Sequence, residues 1–160
     1  MRDLTITAII KVYQYDELNE ADRALMQTAM EATARSYSPY SHFSVGAAAL
    51  LGNGTVVTGT NQENAAYPSG LCAERTTLFY ANSQYPDQPV VTLAIAARTE
   101  KDFIDQPIPP CGACRQVIPE TEKRYKHPIR ILLYGKECIY EVKSISDLLP
   151  LSFDASAMED

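Results

Sequence analysis

Three cysteines in two separated blocks constrain this chain more than any other feature. Cys72 opens a Cys-Ala-Glu segment that ends at Glu74, and Pro-Cys-Gly-Ala-Cys with Cys111 and Cys114 follows 39 positions after Cys72. Residues three apart share one face of a helix, so Cys111 and Cys114 are predicted to point the same way. We expect both blocks at helix N-termini, where partial positive charge lowers the pKa of a thiol. A fold that joins the blocks creates a metal site.

The fourth ligand position decides what kind of metal site this is. An open position is typical of catalytic zinc, whereas structural zinc is closed by four protein ligands. Cys138 falls in a predicted strand, and His42 and His127 lack ligand spacing and are expected on the surface or in loops. A structural zinc closed by Cys138 stays open as an alternative. So does a redox Cys-x-x-Cys, although it would leave Cys72 and Glu74 without a role.

Hydropathy patterning predicts strands that alternate with helices. Residues 4–13 read as a strand, and Asp16 is expected to cap a helix that ends before Ser38-Pro39. Pro119 is expected to stop or kink the helix that starts near Cys111, around Ile118. The other predicted elements are strands at 43–51, 55–60, 90–97, 129–134 and 139–142, a helix from 72 to about 82, and a helical turn at 146–149. This order predicts helices packed on a mixed sheet.

Composition narrows the possible partners and the location. A chain of 160 residues suits one domain whose core needs no disulfides. The net charge of −6 argues against gripping nucleic acid, which relies on clustered cations. We find neither an apolar stretch long enough to span a membrane nor the apolar block of a signal peptide, so we expect a cytoplasmic location.

Several further blocks surround the cysteines in a fixed order. With a first ligand, Glu two residues on, and Pro-Cys-x-x-Cys, the chain carries the three-cysteine form of the zinc nucleobase deaminase pattern. More specifically, it resembles the small homotetrameric cytidine deaminases that act on free nucleosides. The resemblance runs over about residues 20–153 and rests on these blocks: Tyr-Ser-Pro-Tyr-Ser-His-Phe-Ser-Val-Gly-Ala-Ala at 37–48, Asn-Gln-Glu-Asn-Ala-Ala-Tyr at 61–67, Leu-Cys-Ala-Glu-Arg at 71–75, Pro-Cys-Gly-Ala-Cys-Arg-Gln at 110–116, and Leu-Leu-Pro at 148–150 followed by Phe153.

The resemblance implies an architecture. It implies a three-layer α/β/α fold, specifically the cytidine deaminase-like fold, with a mixed central sheet of about five strands, in a single domain over residues 1–160. Residues 1–14 look like an added N-terminal strand, and residues 155–160 are expected to be a frayed tail. It also implies a homotetramer whose active sites are completed by neighbouring subunits.

The resemblance likewise implies a reaction, which is hydrolytic deamination of cytidine and deoxycytidine in pyrimidine salvage. Cys72, Cys111 and Cys114 would hold Zn²⁺, whose bound water becomes acidic. Glu74 would carry protons, and Arg75 would hydrogen-bond a ligand sulfur. Arg115 is the alternative to Arg75, and the sequence does not rank the two arginines.

Substrate contacts follow from the same resemblance. Asn61 and Glu63 would hydrogen-bond the ribose 3′-hydroxyl, which favours nucleosides over free cytosine. Phe43 would form an aromatic wall against the pyrimidine, and Ala73 would line the same site. Phe153 would reach into a neighbouring subunit's site.

Other functions remain as alternatives. Polynucleotide and nucleotide deaminases usually carry His-Ala-Glu as the first block, where this chain has Cys72. A deaminase of a modified or antibiotic cytosine nucleoside would share the three-cysteine core, but the Asn-x-Glu-Asn block favours plain cytidine. A zinc-stabilised binding module without turnover is argued against by Glu74, because a structural metal site has no use for an adjacent carboxylate.

Overall fold

A six-stranded mixed sheet forms the middle layer of the computed structural model, which describes residues 1–158. The strand order is β1-β6-β5-β4-β2-β3, and all neighbours are antiparallel except the parallel pair β4 and β5. The elements are strands β1 (Ile10–Tyr13), β2 (Ser44–Leu51), β3 (Val56–Thr60), β4 (Val90–Arg98), β5 (Arg130–Tyr134) and β6 (Ile139–Val142), with helices α1 (Glu20–Ala32), α2 (Ala73–Gln84) and α3 (Gly112–Tyr125).

The helices cover both faces of the sheet, which confirms the expected α/β/α layering. Helix α1 packs on one face, where Leu25 and Met26 contact Ala48 and Ala94 in one apolar cluster. Helices α2 and α3 cover the other face, and Leu78 belongs to the larger cluster on that side. The small side chains of β2 point alternately to the two faces of the sheet, so this strand contributes to both apolar clusters.

The sheet has six strands where about five were expected, because β1 joins the sheet beside β6. Lys11 of β1 pairs with the buried Glu141 at 3.1 Å. Glu141 also accepts from Arg130 at 3.0 Å, and Arg130 donates two bonds to the carboxylate of Asp22 on α1. A chain of alternating charges therefore ties the edge strand to the helix layer. Residues 1–9 precede β1 without regular structure.

The cap of α1 differs from the expectation. Asn19, not Asp16, caps the helix, since its side chain accepts from the Asp22 backbone at 2.9 Å. Asp16 lies in a short 3₁₀ turn, Tyr15–Glu17, upstream. Leu18 is buried beside the cap, which is the usual apolar position before a helix start. Asn19 follows Asp16 by three residues, and the burial of Leu18 favours a helix start at the later residue.

Helix α3 passes through Pro119 and continues to Tyr125, so of the expected stop or kink around Ile118 the stop is wrong. Proline inside a helix costs about 3 kcal/mol. Packing compensates on both sides of the proline: Ile118 is fully buried, and the Glu122 carboxylate accepts the backbone N–H groups of Ile129 and Ile145. These contacts carry the helix to Tyr125.

Helix α2 approaches the sheet closely at a glycine. A Cβ on Gly59 of β3 would lie 2.7 Å from the backbone nitrogen of Thr77, so only glycine allows this contact. The close packing sets the first turn of α2 beside the end of β3, after which Asn61 follows. This is where the site forms.

The C-terminal segment returns along α3. Ala155–Ala157 form a 3₁₀ turn capped by Asp154, which also pairs with Lys123 of α3 at 2.8 Å. Glu159 and Asp160, at the end of the expected frayed tail, lie outside the described residues. Among residues 1–158, no helix combines the length and the apolar character needed to cross a membrane.

Candidate active site

The two cysteine blocks meet at the N-termini of α2 and α3. Cys72 is the N-cap residue of α2, and Cys111 is the N-cap residue of α3. The Sγ atoms of Cys72 and Cys111 lie 3.5 Å apart, as do those of Cys111 and Cys114. All three sulfurs lie within 4.8 Å of one another. The partial positive ends of two helices therefore face one cluster of thiols.

The cluster fits a zinc ion by its chemistry and spacing. Soft thiolate ligands suit zinc, and a tetrahedral ion with Zn–S distances of about 2.3 Å would place its sulfurs about 3.8 Å apart. The observed separations of 3.5 Å are close to this value, and all three cysteines are free thiols. In the described chain these three are the only such group of possible ligands.

The thiols do not ionise alike. A hydrogen bond from Cys114 lowers the pKa of Cys72 to about 5, with Arg75 contributing in the same direction. The pKa of Cys114 is raised, because that thiol serves Cys72 as a donor and is itself buried. The neighbouring thiol and the Arg75 guanidinium therefore both favour the ionised form of Cys72.

Glu74 lies in the first turn of α2, two residues after Cys72. Its side chain is buried, with 5% of the residue exposed, and it lines the same cavity as the thiols. Burial raises the pKa of Glu74, and the negative charge of Cys72 acts in the same direction. A raised pKa suits a carboxylate that must both take up and release a proton.

The structure separates the two arginines that the sequence left unranked. Arg75 Nη2 donates to Cys72 Sγ at 3.7 Å. Arg115 instead donates to two backbone carbonyls, those of Pro110 and Leu148, each at 2.8 Å. Arg75 is thus the arginine that touches a sulfur, and Arg115 fastens the C-terminal segment to the loop before Cys111.

A cavity of about 620 Å³ opens in front of the thiols. Its size lies within the range of small-molecule binding sites. It collects most of the residues that the sequence singled out, and Ile108, Pro109 and Leu71 add apolar surface to it. The predicted residues in its lining are Phe43, Asn61, Glu63, Cys72, Ala73, Glu74, Arg75 and Cys111.

Asn61 is bound on several sides by its own chain. Its Oδ1 accepts from the Val45 backbone at 2.8 Å and from the Ser36 hydroxyl at 2.5 Å. Its Nδ2 donates to the Phe43 carbonyl at 2.9 Å. An amide nitrogen has two donor hydrogens, so one remains for a ligand.

Glu63 also lines the cavity. Its Oε2 accepts from the Tyr40 backbone at 2.9 Å and from the Ser41 backbone at 3.3 Å, and its Oε1 accepts from the Ser41 hydroxyl. These donors, the Ser41 hydroxyl first, lower the pKa of Glu63. These contacts of Tyr40 and Ser41 did not emerge from the sequence, although both residues lie within the 37–48 block.

Phe153 and the remaining candidates lie elsewhere. Within the described part of the chain, Phe153 is not among the residues that line the cavity; its ring is exposed and its carbonyl accepts from Gln116. Cys138 contacts Gln106 Oε1 at 3.8 Å rather than the thiol cluster, which argues against a fourth cysteine ligand. His42 pairs with Glu100 at 3.1 Å. His127 contacts its neighbouring carbonyl.

Comparison with known proteins places this fold and site. Residues 19–126 match the family model described as the cytidine and deoxycytidylate deaminase zinc-binding region. The class is therefore a deaminase domain with a zinc-binding region, and the free thiol cluster lies inside the matched range.

Individual relatives make the assignment narrower. A cytidine deaminase from Halalkalibacterium halodurans is 40% identical over 136 residues, which cover 85% of this chain and 96% of that protein. The crystal structure of cytidine deaminase from Burkholderia pseudomallei aligns with a TM-score of 0.69 at 37% identity, over 85% of this chain and all of that one. The corresponding structure from Mycobacterium tuberculosis gives 0.66 at 33% identity, over 85% of this chain and 99% of that chain. The chain belongs to the cytidine deaminase family.

Proposed function

We propose that this enzyme hydrolyses the exocyclic amine of cytidine and deoxycytidine, giving uridine or deoxyuridine and ammonia. The observation that carries the proposal is the position of Glu74, buried in a cavity beside three converging thiols. A metal that only supports folding needs no carboxylate in a cavity. Turnover is thus favoured over a binding module, and the relatives named above are cytidine deaminases.

A zinc ion would be held by Cys72, Cys111 and Cys114 at one end of the cavity, which we call the metal end. When bound there, zinc supplies a Lewis acid that makes water nucleophilic near neutral pH. Three thiolates carry more negative charge than the ion carries positive charge. The contact from Arg75 to Cys72 and the two helix N-termini offset part of this excess.

Glu74 would move the protons of the reaction. It takes a proton from the water that attacks C4 of the pyrimidine and delivers that proton to N3. It then helps to protonate the amine, which leaves as ammonia. One carboxyl group can do both because its protonation state alternates through the cycle. The raised pKa of Glu74 brings it nearer the pH at which this exchange is efficient.

The rest of the cavity would select the nucleoside. Phe43 and Ala73 would contact the pyrimidine ring. The free Nδ2 hydrogen of Asn61 would donate to the 3′-hydroxyl oxygen of the sugar, and Glu63 would accept the hydroxyl hydrogen. Loss of that hydroxyl would leave the free Nδ2 hydrogen of Asn61 and the free acceptor position of Glu63 without a partner, which would favour nucleosides over free cytosine.

We also propose a homotetramer in which Phe153 completes a neighbour's site. Its exposed ring, 63% accessible, and its position outside the lining of its own cavity support this role. Mixing Phe153→Ala chains with Glu74→Gln chains tests it, because a mixed tetramer would contain sites with both intact residues. Recovered activity is expected, and no recovery in any mixture would contradict cross-subunit completion.

Substrate size and location follow from the same chemistry. Arg75 is the one cation in the cavity lining of the described residues, and it is engaged with Cys72, so a polynucleotide finds little electrostatic attraction there. We expect a cytoplasmic role in pyrimidine salvage, since a site of three free thiols needs a reducing compartment.

The deciding experiment combines metal analysis with turnover. Purified protein is expected to hold one zinc ion per chain and to decrease the ultraviolet absorbance of cytidine as uridine forms. A strong chelator should abolish turnover, and added zinc should restore it. Metal-free protein with full activity, or zinc-loaded protein with no turnover of cytidine, would overturn the proposed function.

A further inference from the structure

The short turn that precedes β2 holds Glu63 through one serine. The Ser41 hydroxyl donates to Glu63 Oε1 and accepts from the backbone N–H of Phe43 at 3.1 Å. The backbone N–H groups of Tyr40 and Ser41 both donate to Glu63 Oε2. One hydroxyl thus joins the carboxylate at the cavity mouth to the backbone of the residue that forms its aromatic wall.

We propose that Ser41 is a positioning residue for substrate, acting through Glu63 on the sugar 3′-hydroxyl. The inference rests on the proposed function, because it needs Glu63 to face the sugar. Ser41 itself lines the mouth of the cavity, but its hydroxyl is directed to Glu63 and to the Phe43 backbone.

The carboxylate of Glu63 keeps a free acceptor position for a hydroxyl group of the substrate. An ionised carboxylate offers about four acceptor positions and no donor. Three of these positions are filled by Ser41 and the Tyr40 backbone, so about one is free. Because these donors also favour the ionised form, the free position accepts and does not donate. A substrate hydroxyl therefore finds its acceptor already oriented.

The turn is itself held in an uncommon backbone conformation. His42 has a φ of +55°, in the left-handed region that is unfavourable for a residue with a side chain. Its backbone N–H donates to the Ser38 carbonyl at 3.0 Å, and its ring pairs with Glu100 beyond the end of β4. Contacts on both sides of His42 keep the turn closed, with Ser41 against Glu63.

Ser41→Ala tests the proposal with two substrates, cytidine and 3′-deoxycytidine. Loss of one hydrogen bond of this kind corresponds to about a threefold to tenfold fall in kcat/KM for cytidine. The fall should lie mainly in KM, and kcat/KM for 3′-deoxycytidine should hardly change. Ser41→Thr keeps a hydroxyl and should restore most of the loss. Ser38→Ala is the matched control, because its hydroxyl lies in the same loop and contacts Ser44 instead of Glu63.

A second comparison shows whether Ser41 acts through Glu63. In a Glu63→Ala background, Ser41→Ala should cost nothing further. An equal loss on both substrates, an effect matched by Ser38→Ala, or an undiminished loss in the Glu63→Ala background would overturn the proposal. These results all presuppose a wild-type enzyme that turns over cytidine, so they differ from a wild-type enzyme without cytidine turnover, which would overturn the proposed function as well.

Discussion

The two ends of the cavity are organised in opposite ways. At the metal end, three thiols face one another, and Arg75 reaches Cys72 from outside the cluster at 3.7 Å. The other end is the one that we propose for the sugar, and we call it the sugar end. There, Asn61 and Glu63 each make three hydrogen bonds to their own chain. At one end the thiols are available as ligands for a metal ion. At the other end the polar side chains are held by hydrogen bonds within the chain, and each keeps part of its hydrogen-bonding capacity for a ligand.

The two ends of the cavity are kept in place by different interactions. The thiols depend on two helix starts, so their geometry follows from packing of α2 and α3 on the sheet. Asn61 and Glu63 follow the end of β3, where the backbone leaves the sheet, and hydrogen bonds replace packing. Variants at the metal end should therefore change chemistry, whereas variants at the sugar end should change binding and local stability together.

The largest effect is expected for Cys111→Ala. Removal of one of three sulfurs should release zinc and reduce deamination to background. Cys138→Ala is the matched control, because its thiol lies against Gln106, away from the cluster. Metal analysis and turnover check both variants. A loss of zinc from the Cys138 variant would contradict the assignment of ligands.

Glu74→Gln comes next. The isosteric amide cannot carry a proton, so kcat should fall by about 10²–10⁴. Zinc content should be retained and KM should change little, since Glu74 is not assigned a binding role. Steady-state kinetics and metal analysis provide the measurement. A variant that loses zinc together with activity would mean that Glu74 supports the metal site instead of the proton transfer.

Asn61→Ala should separate the sugar end from the metal end. Three lost bonds of a half-buried amide should reduce the free energy of unfolding by about 1–3 kcal/mol and also raise KM for cytidine. Glu63→Ala should raise KM with a smaller effect on stability, because its contacts lie on an exposed turn. Urea unfolding followed by kinetics checks both. Equal loss of stability in the two variants would erase the proposed difference.

Arg75→Gln should have the smallest effect. Without this cation the cluster is more negative, and the ion that it holds is less electrophilic. The acidic limb of the pH–activity profile should then move to higher pH, with activity lower by about tenfold near that limb. Arg115→Gln, which loosens the carbonyls of Pro110 and Leu148, should leave the limb in place. An unmoved limb in Arg75→Gln would remove the idea.

Much of the fold could be predicted because local signals and tertiary packing agree. Strands β2, β3 and β4 are examples, since each lies within one residue of the bounds predicted at 43–51, 55–60 and 90–97. Disagreement arose where packing overrides a local preference, as for Pro119 inside α3 and for the cap of α1. The edge strand is shorter than the alternation at 4–13 suggested, because pairing with β6 covers only Ile10–Tyr13.

The site residues also fall into two groups, those that the sequence pattern identifies and those that depend on tertiary contacts. The cysteine spacing and Glu74 could be identified because metal chemistry restricts residue types and intervals. The sequence alone could not rank Arg75 and Arg115, since only the direction of each guanidinium decides which one meets a sulfur. Nor could the sequence show that Ser41 binds Glu63, because a serine hydroxyl in a loop has many possible partners.

The pairing of β1 with β6 has a consequence for the N-terminal end of the chain. The family match covers residues 19–126, and β1, which lies before that range, supplies Lys11 to the buried carboxylate of Glu141 on β6. A truncation before residue 14 would leave Glu141 with Arg130 as its single counterion and would uncover the hydrogen-bonding edge of β6. Strand β1 thus covers the edge of the sheet, and an enzyme that lacks it should keep its catalytic groups while becoming more prone to self-association through that edge.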